Sequence, residues 1–404
     1  MPHETTLIAM LAVGLAYAFL GGIVAVRLGL PPLVGYLLAG VAVGPFTPGF
    51  VGDPEIASQL AEIGVILLMF GVGMHFSISD LWAVRSIALP GAVAQTVAAT
   101  ALGAVASHFW GWPLGAGLVF GLSLSVASTV VLLRALESAG AVTTPDGRIA
   151  VGWLIVEDLV MVLTLVLLPA LAEPLGGVAV AAHGESADHN LWISLAITLG
   201  KVALFVALML VFGARLFPWI LQRVERTSSH ELFTVAVAAL ALGVAFGSAK
   251  FFGVSFALGA FFAGIVINEC KLSHRAAADL QPLQNAFGAL FFVAVGMLFD
   301  PAILLREPLR VLAVLSIIVI GKSLAALGIV LALRGGLSTA LCVAAALAQI
   351  GEFSFILAAL GRDLRLLPAE GQDLVLAGAL LSITLNPLIF RLVSSNEKKL
   401  AVGT

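Results

Sequence analysis

Residues 152–169 read GWLIVEDLVMVLTLVLLP, with two adjacent carboxylates, Glu157 and Asp158, in the middle of an otherwise apolar run. Extended to 148–170, the run is long enough to cross a hydrocarbon core, which takes about 20 apolar residues. The alternative, a helix buried in a soluble protein, fails on composition. Hydrophobic residues fill 61% of the 404 positions, charged residues only 11%, and the mean hydropathy is +1.12. A soluble domain carries about 45–50% apolar and about 25% charged residues, so this chain has too few charges to face water. The fold class is therefore all-α, a polytopic membrane protein, and its first partners are membrane lipids.

Net charge is −3, so no basic field marks a nucleic-acid partner. Cys270 and Cys342 lie in different segments without metal spacing and read as packed small residues. Met1–Thr6 lacks a basic stretch and the apolar run behind it is too long for a cleaved leader, so it reads as a first span.

Outward from the acidic pair, hydropathy predicts thirteen spans: 6–26, 31–46, 60–77, 86–108, 114–136, 148–170, 191–213, 231–248, 252–268, 281–299, 308–333, 337–360 and 371–391. The longest polar connection, Glu173–Asn190, holds His183, Glu185, Asp188 and His189; their spacing fixes no coordination geometry, and it reads as a solvated loop. Thirteen spans put the termini on opposite sides. With the C-terminus inside, thirteen Lys and Arg residues fall on inner segments and five on outer ones, which is the bias that sets orientation. The N-terminus is then out and the C-terminus in.

The chain also repeats itself. Gly35–Gly44 (GYLLAGVAVG) matches Gly259–Asn268 (GAFFAGIVIN) at an offset of 224, and Phe70–Phe76 (FGVGMHF) matches Val293–Phe299 (VAVGMLF) at 223. Each match joins spans of opposite direction, second with ninth and third with tenth. Inverted repeats of this kind build secondary transporters.

Charges inside lipid-spanning helices are rare and mark function. Glu157 and Asp158 in span six, Lys322 in span eleven and Glu352 in span twelve lie deep, while Lys201 in span seven is near enough to an end to reach the interface. Neighbours on a helix point about 100° apart, so the two acids divide, one toward a partner and one toward a water-filled cavity. Lys322 is the natural partner, because a lone buried ammonium is far costlier than a paired one. A carboxylate out of water can be neutralised by a proton or by a metal cation, and that competition is an exchange mechanism. Further oxygen ligands sit at two polar interruptions: Ser125, Ser128 and Thr129 in span five, and Gln349, Gly351, Glu352 and Ser354 in span twelve. Thr129 and Glu352 are 223 apart, so the interruptions occupy equivalent places in the repeats. Small hydroxylated residues in mid-span are where transporter helices break, and Glu352 can balance the positive ends of the half-helices there.

These residues resemble the monovalent cation:proton antiporter-2 family, Kef-type branch, over nearly the whole chain. The likeness rests on PPLVGYLLAGVAVGP (31–45), GVILLMFGVGMHFS (64–77), SVASTVVLLRALE (125–137), the acidic stretch itself, SFALGAFFAGIVINE (255–269), GKSLAA (321–326) and AQIGEFSF (348–355). The resemblance implies a sodium/proton antiporter fold, a homodimer in the bacterial inner membrane, with a scaffold at 1–78 and 229–300. It implies a core at 79–172 and 301–392 that slides like an elevator, a loop and linker span at 173–228, and a cytoplasmic tail at 393–404. Asp158 would bind the transported K⁺ or Na⁺ and the proton, Glu157 would pair with Lys322, and spans five and twelve would be the crossing broken helices. The best-known Kef members have Gln in place of Glu157, so their stoichiometry does not carry over. They also continue into a cytoplasmic nucleotide-binding regulatory domain. This sequence ends at Thr404 without a Rossmann glycine fingerprint, so nucleotide control and a cofactor are not expected of these residues.

The resulting expectation is proton-coupled antiport of K⁺, one-for-one if Lys322 holds Glu157 ionised. A gated K⁺ channel of the same fold and a Na⁺/H⁺ antiporter are the alternatives. An intramembrane hydrolase is excluded, since neither GxGD nor GxSG occurs.

Overall fold

The computed structural model describes residues 3–47, 52–75, 78–178 and 191–402. Every regular element among them is helical. The first half contains α1 (His3–Arg27), α2 (Pro32–Val43), α3 (Pro54–His75), α4 (Ile78–Phe109), α5 (Leu114–Ser125), α6 (Thr129–Ala139) and α7 (Pro145–Leu171). Next, α8 (Leu191–Leu208) runs through a π-helical turn at Met209–Gly213 into α9 (Ala214–Glu225). The second half contains α10 (His230–Phe252), α11 (Phe256–Asn268), α12 (Ser273–Met297), the short α13 (Ile303–Arg306) and α14 (Pro308–Ser316). A second π-helical turn at Ile317–Gly321 leads into α15 (Lys322–Ala332), followed by α16 (Leu337–Ala346), α17 (Glu352–Asp363) and α18 (Ala369–Val402).

Local chemistry sets many of the ends. Thr144, Ser229 and Ser255 precede α7, α10 and α11, and each hydroxyl accepts a backbone N–H of the first turn, which would otherwise lack a partner. Pro32 and Pro145 open α2 and α7, where no N–H is needed. Gly140 and Gly253 end α6 and α10 in the left-handed conformation that a glycine adopts without strain. Among the described residues, ten helical segments are long and apolar enough to cross a membrane, and α2, α11 and α16 are shorter apolar helices. The chain is a multi-pass membrane protein.

The helices sort into two packed groups. One holds α1, α2, α3, α10, α11 and α12; the other holds α4 to α7 and α14 to α18. The sequence repeat is visible in how the first group packs. Gly40 on α2 meets Gly296 on α12 so closely that a Cβ on Gly40 would lie 2.1 Å from the Val293 carbonyl oxygen. Gly264 on α11 meets Gly73 on α3 in the same way, a Cβ on Gly73 lying 2.1 Å from the Phe261 carbonyl oxygen. Gly40 and Gly264 are repeat equivalents, as are Gly73 and Gly296. The two contacts are therefore one contact seen twice, each made between repeats, and the glycines are needed for backbone approach.

The structure adjusts several boundaries. Span four is longer than hydropathy implies, because α4 begins at Ile78 with a polar first turn that an apolar window passes over. α2 has 12 residues, about 18 Å of helix, less than the roughly 30 Å of hydrocarbon; the expected 31–46 counted the turns at its ends. His183, Glu185, Asp188 and His189 lie outside the described residues. Lys201 is exposed on α8, and Cys270 and Cys342 are buried.

Candidate functional site

Two interruptions meet inside the second group. Between α5 and α6, Val126 and Ser128 are extended (φ −98°, ψ 132° and φ −80°, ψ 126°). Between α16 and α17 the chain leaves the helix over residues 347–351, and Gly351 is extended at φ −132°, ψ −160°. A Cβ on Gly351 would lie 2.4 Å from the Ser128 Cα, so the two breaks touch. Ser128 and Gly351 are 223 apart, like Thr129 and Glu352. A residue in contact with its own repeat equivalent lies on the pseudo-twofold axis, so the breaks cross there.

A broken helix in a dry interior frees peptide groups that need partners. Side chains supply them. The Ser128 N–H donates to Gln349 Oε1 at 2.9 Å, and Gln349 Nε2 donates back to the Ser128 carbonyl at 3.2 Å. Gln349 thus imitates a paired strand and ties one break to the other. The Ala127 N–H donates to Glu157 Oε2 at 3.0 Å. The Ser125 carbonyl accepts from Gln95 Nε2 at 3.1 Å, and the Gln349 carbonyl accepts from Lys322 Nζ at 2.9 Å. On the second repeat, Asn386 Nδ2 donates to the Ala345 carbonyl at 2.9 Å.

The acids converge on the same crossing. Thr129 Oγ1 donates to Asp158 Oδ2 at 3.3 Å, and Ser128 Oγ donates to Glu352 Oε2 at 3.1 Å while accepting the Val131 N–H as the cap of α6. Glu157, Asp158, Lys322 and Glu352 are the only charged residues among the described ones that are buried as whole residues. Asp158 lies within Coulomb reach of both Glu352 and Glu157, and Glu157 within reach of Lys322. Three carboxylates thus cluster here, and the one buried ammonium stands near Glu157. One oxygen each of Glu157 and Asp158 has no partner, nor does Ser354 Oγ.

Against the expected site, the structure brings all the named residues to one crossing but divides their work. Glu157 and Asp158 both reach the first break, Glu157 at the Ala127 N–H and Asp158 at the Thr129 hydroxyl that starts α6, and Glu157 also lies near Lys322. Lys322 stands near Glu157, and its ammonium donates to the Gln349 carbonyl. Ser125 Oγ is turned back to the Leu122 carbonyl within its own helix, and the Gln349 amide is engaged by Ser128. The π-helical turn at Ile317–Gly321 ends directly at Lys322, a distortion often found beside functional residues.

Residues 15–395 match the family described as sodium/hydrogen exchanger, transmembrane. The chain belongs to this sodium/hydrogen exchanger family. It is 59% identical over 401 residues to the putative cation/proton antiporter YbaL of Escherichia coli (strain K12), covering 99% of this chain and 70% of YbaL. It is 33% identical over 392 residues to K(+) efflux antiporter 4 of Arabidopsis thaliana, covering 96% of this chain and 64% of that one. This exchanger-family chain thus spans a little under two thirds of the plant relative's length. Among solved structures it is similar to the sodium proton antiporter MjNhaP1 from Methanocaldococcus jannaschii, with a TM-score of 0.74 over 97% of this chain and 98% of that one. Identity there is 18%, so this likeness is one of fold.

Sequence reading for charges passed over Gln95 and Asn386, both fully buried. The signal was present, since each is a primary amide inside a predicted span. An amide carries no net charge, so a search for costly ions does not find it.

Proposed function

We propose that this chain exchanges a monovalent cation for protons, with Asp158 as the group that carries either one. The observation that carries this reading is the state of Asp158. It is buried, faces two other carboxylates, is held on one oxygen by Thr129, and leaves the other oxygen without a partner. Such a group needs a proton or a cation to balance it. A bound cation would take its remaining ligands from hydroxyl and carbonyl oxygens of the crossing breaks, with Thr129 nearest. Lys322 sits against the carbonyl side of the break and Glu352 against the α6 and α17 N-termini, where each opposes the local helix dipole.

K⁺ is the favoured cation, because the relatives at 32–33% identity are K(+) efflux antiporters by name. Counting α5–α6 and α16–α17 as single broken spans gives thirteen crossings, with the N-terminus out and the C-terminus in. The glycine-packed group then serves as the scaffold of a homodimer in the inner membrane, and the group with the breaks as the moving core. A cavity of about 400 Å³ between the groups supports relative movement; Glu62 is on its α3 wall and Asp363 on its α17 wall. The longer relatives leave room for a regulatory domain acting on this membrane part.

The test is cation-dependent recovery of a pH dye in proteoliposomes. K⁺ or Na⁺ added to wild-type vesicles is expected to move protons, and Asp158→Asn is expected not to. Passive K⁺ flux without proton movement would select the channel reading instead.

A further inference from the structure

Two buried donors occupy matching places in the two repeats. Lys322, at the start of α15, donates to the Gln349 carbonyl, and Gln95, on α4, donates to the Ser125 carbonyl. At the repeat offset of 223, Gln349 corresponds to position 126 and Lys322 to position 99. The accepting carbonyls are therefore one residue apart in the repeat. The donors are four apart, one helical turn along the same face of equivalent spans. Gln95 is fully buried, and its Oε1 has no partner. The bond to Ser125 requires the amide nitrogen on that side, which fixes the orientation of the side chain.

We propose that Gln95 is a positioning residue for the ion site. It holds the carbonyl end of half-helix α5 and is the neutral counterpart, in the first repeat, of Lys322 in the second. This rests on the reading that the break between α5 and α6 helps form that site. Ser125 is the last residue of α5, where carbonyls lack donors from their own helix. It precedes Ala127, held by Glu157, by two residues and Thr129, held by Asp158, by four. Without the amide, the Ser125 carbonyl must turn toward another donor. The chain that carries Thr129 turns with it, and the hydroxyl leaves its place beside Asp158. Neutrality matters as much as reach. The α4 helix packs against α5, which has no charged residue, against α7 with Glu157 and Asp158, and against α15 with Lys322. A second cation here would match the three carboxylates more nearly and weaken the deficit that draws the transported ion.

The experiment measures K⁺ KM and maximal rate by the pH-dye assay, with melting of the purified full chain, for Gln95→Leu, Gln95→Glu and the adjacent Thr96→Val. Gln95→Leu removes the amide; Gln95→Glu keeps the shape but replaces the donor with an acceptor, and it carries the test if the leucine variant does not fold. Loss of one buried donor is expected to raise KM about tenfold with the maximal rate within about twofold, while Thr96→Val behaves as wild type. An unchanged KM in the Gln95 variants overturns the proposal, whether or not rate and folded protein fall together. Asp158→Asn in the same preparations separates the two readings. If it transports like wild type, the ion-site assignment fails; if it is inactive and the Gln95 variants keep their KM, only the role of Gln95 fails.

Discussion

The two helix groups differ in what fills their centres. In α1–α3 and α10–α12 the backbones touch through glycines, and contacts such as Gly40 with Gly296 leave no room even for a methyl group. In α4–α7 and α14–α18 the centre is polar, and side chains rather than neighbouring backbone satisfy the broken helices. Every buried side-chain polar atom without a partner among the described residues lies in this second group, on α4, α7, α17 or α18. A glycine-tight apolar contact is rigid because nothing in it can be exchanged. A polar centre with unmet oxygens is incomplete until an ion, a proton or water enters. The contrast supports the proposed division into a supporting scaffold and a transporting core.

The sharpest way to break that contrast is to separate function from fold at Asp158. Asp158→Asn preserves shape and the Thr129 contact, so transport is expected to fall by at least about 100-fold while melting of the purified protein is unchanged or raised. A variant that melted far lower would make Asp158 a structural residue. The opposite substitution belongs in the glycine-packed group. Gly73→Leu forces a side chain against the Phe261 carbonyl and is expected to destabilise by about 3 kcal/mol, the upper end for overpacking. Transport per folded molecule should stay within about twofold. Loss of transport without loss of stability would contradict a supporting role.

Between these extremes stands Gln349→Leu, which strands the N–H of Ser128, while the Ser128 carbonyl keeps the Leu132 N–H. An unmet buried group costs about 1–3 kcal/mol, so melting temperature and transport should fall together. Glu157→Gln tests how the acids divide. The amide oxygen still accepts the Ala127 N–H, so if only Asp158 exchanges its proton, transport is expected to stay within about threefold and electrically silent. A current on a solid-supported membrane, in wild type or variant, would show that Asp158 is not the sole carrier. The smallest effect is expected at Ser354→Ala. Its hydroxyl bonds nothing here, so melting should move by less than about 0.5 kcal/mol, and any change in KM measures how near the ion passes.

Much of this was legible from residues alone. Hydropathy places the helices, since lipid admits only closed backbone structures and each span must be apolar. The costly charges Glu157, Asp158, Lys322 and Glu352 announced the site, and the offset of 223–224 announced an inverted pair of repeats. Less was legible at the breaks. Residue types marked Gln349 and Lys322 as part of the site, but not that Gln349 clasps Ser128 or that Lys322 also donates to a carbonyl. Gln95 and Asn386 gave no charge to notice.

Sequence by itself determined the solvent, the class of fold, the symmetry and the identity of the buried charges. Each of these follows from transfer energies and periodicities that residues carry wherever they are placed. The tertiary structure decided which hydroxyl faces which carboxylate, which freed peptide group each side chain satisfies, and which oxygens remain unmet. Those depend on donors and acceptors more than 200 residues apart, as Ser128 and Gln349 are, meeting within about 3 Å. No local pattern encodes a distance of that kind.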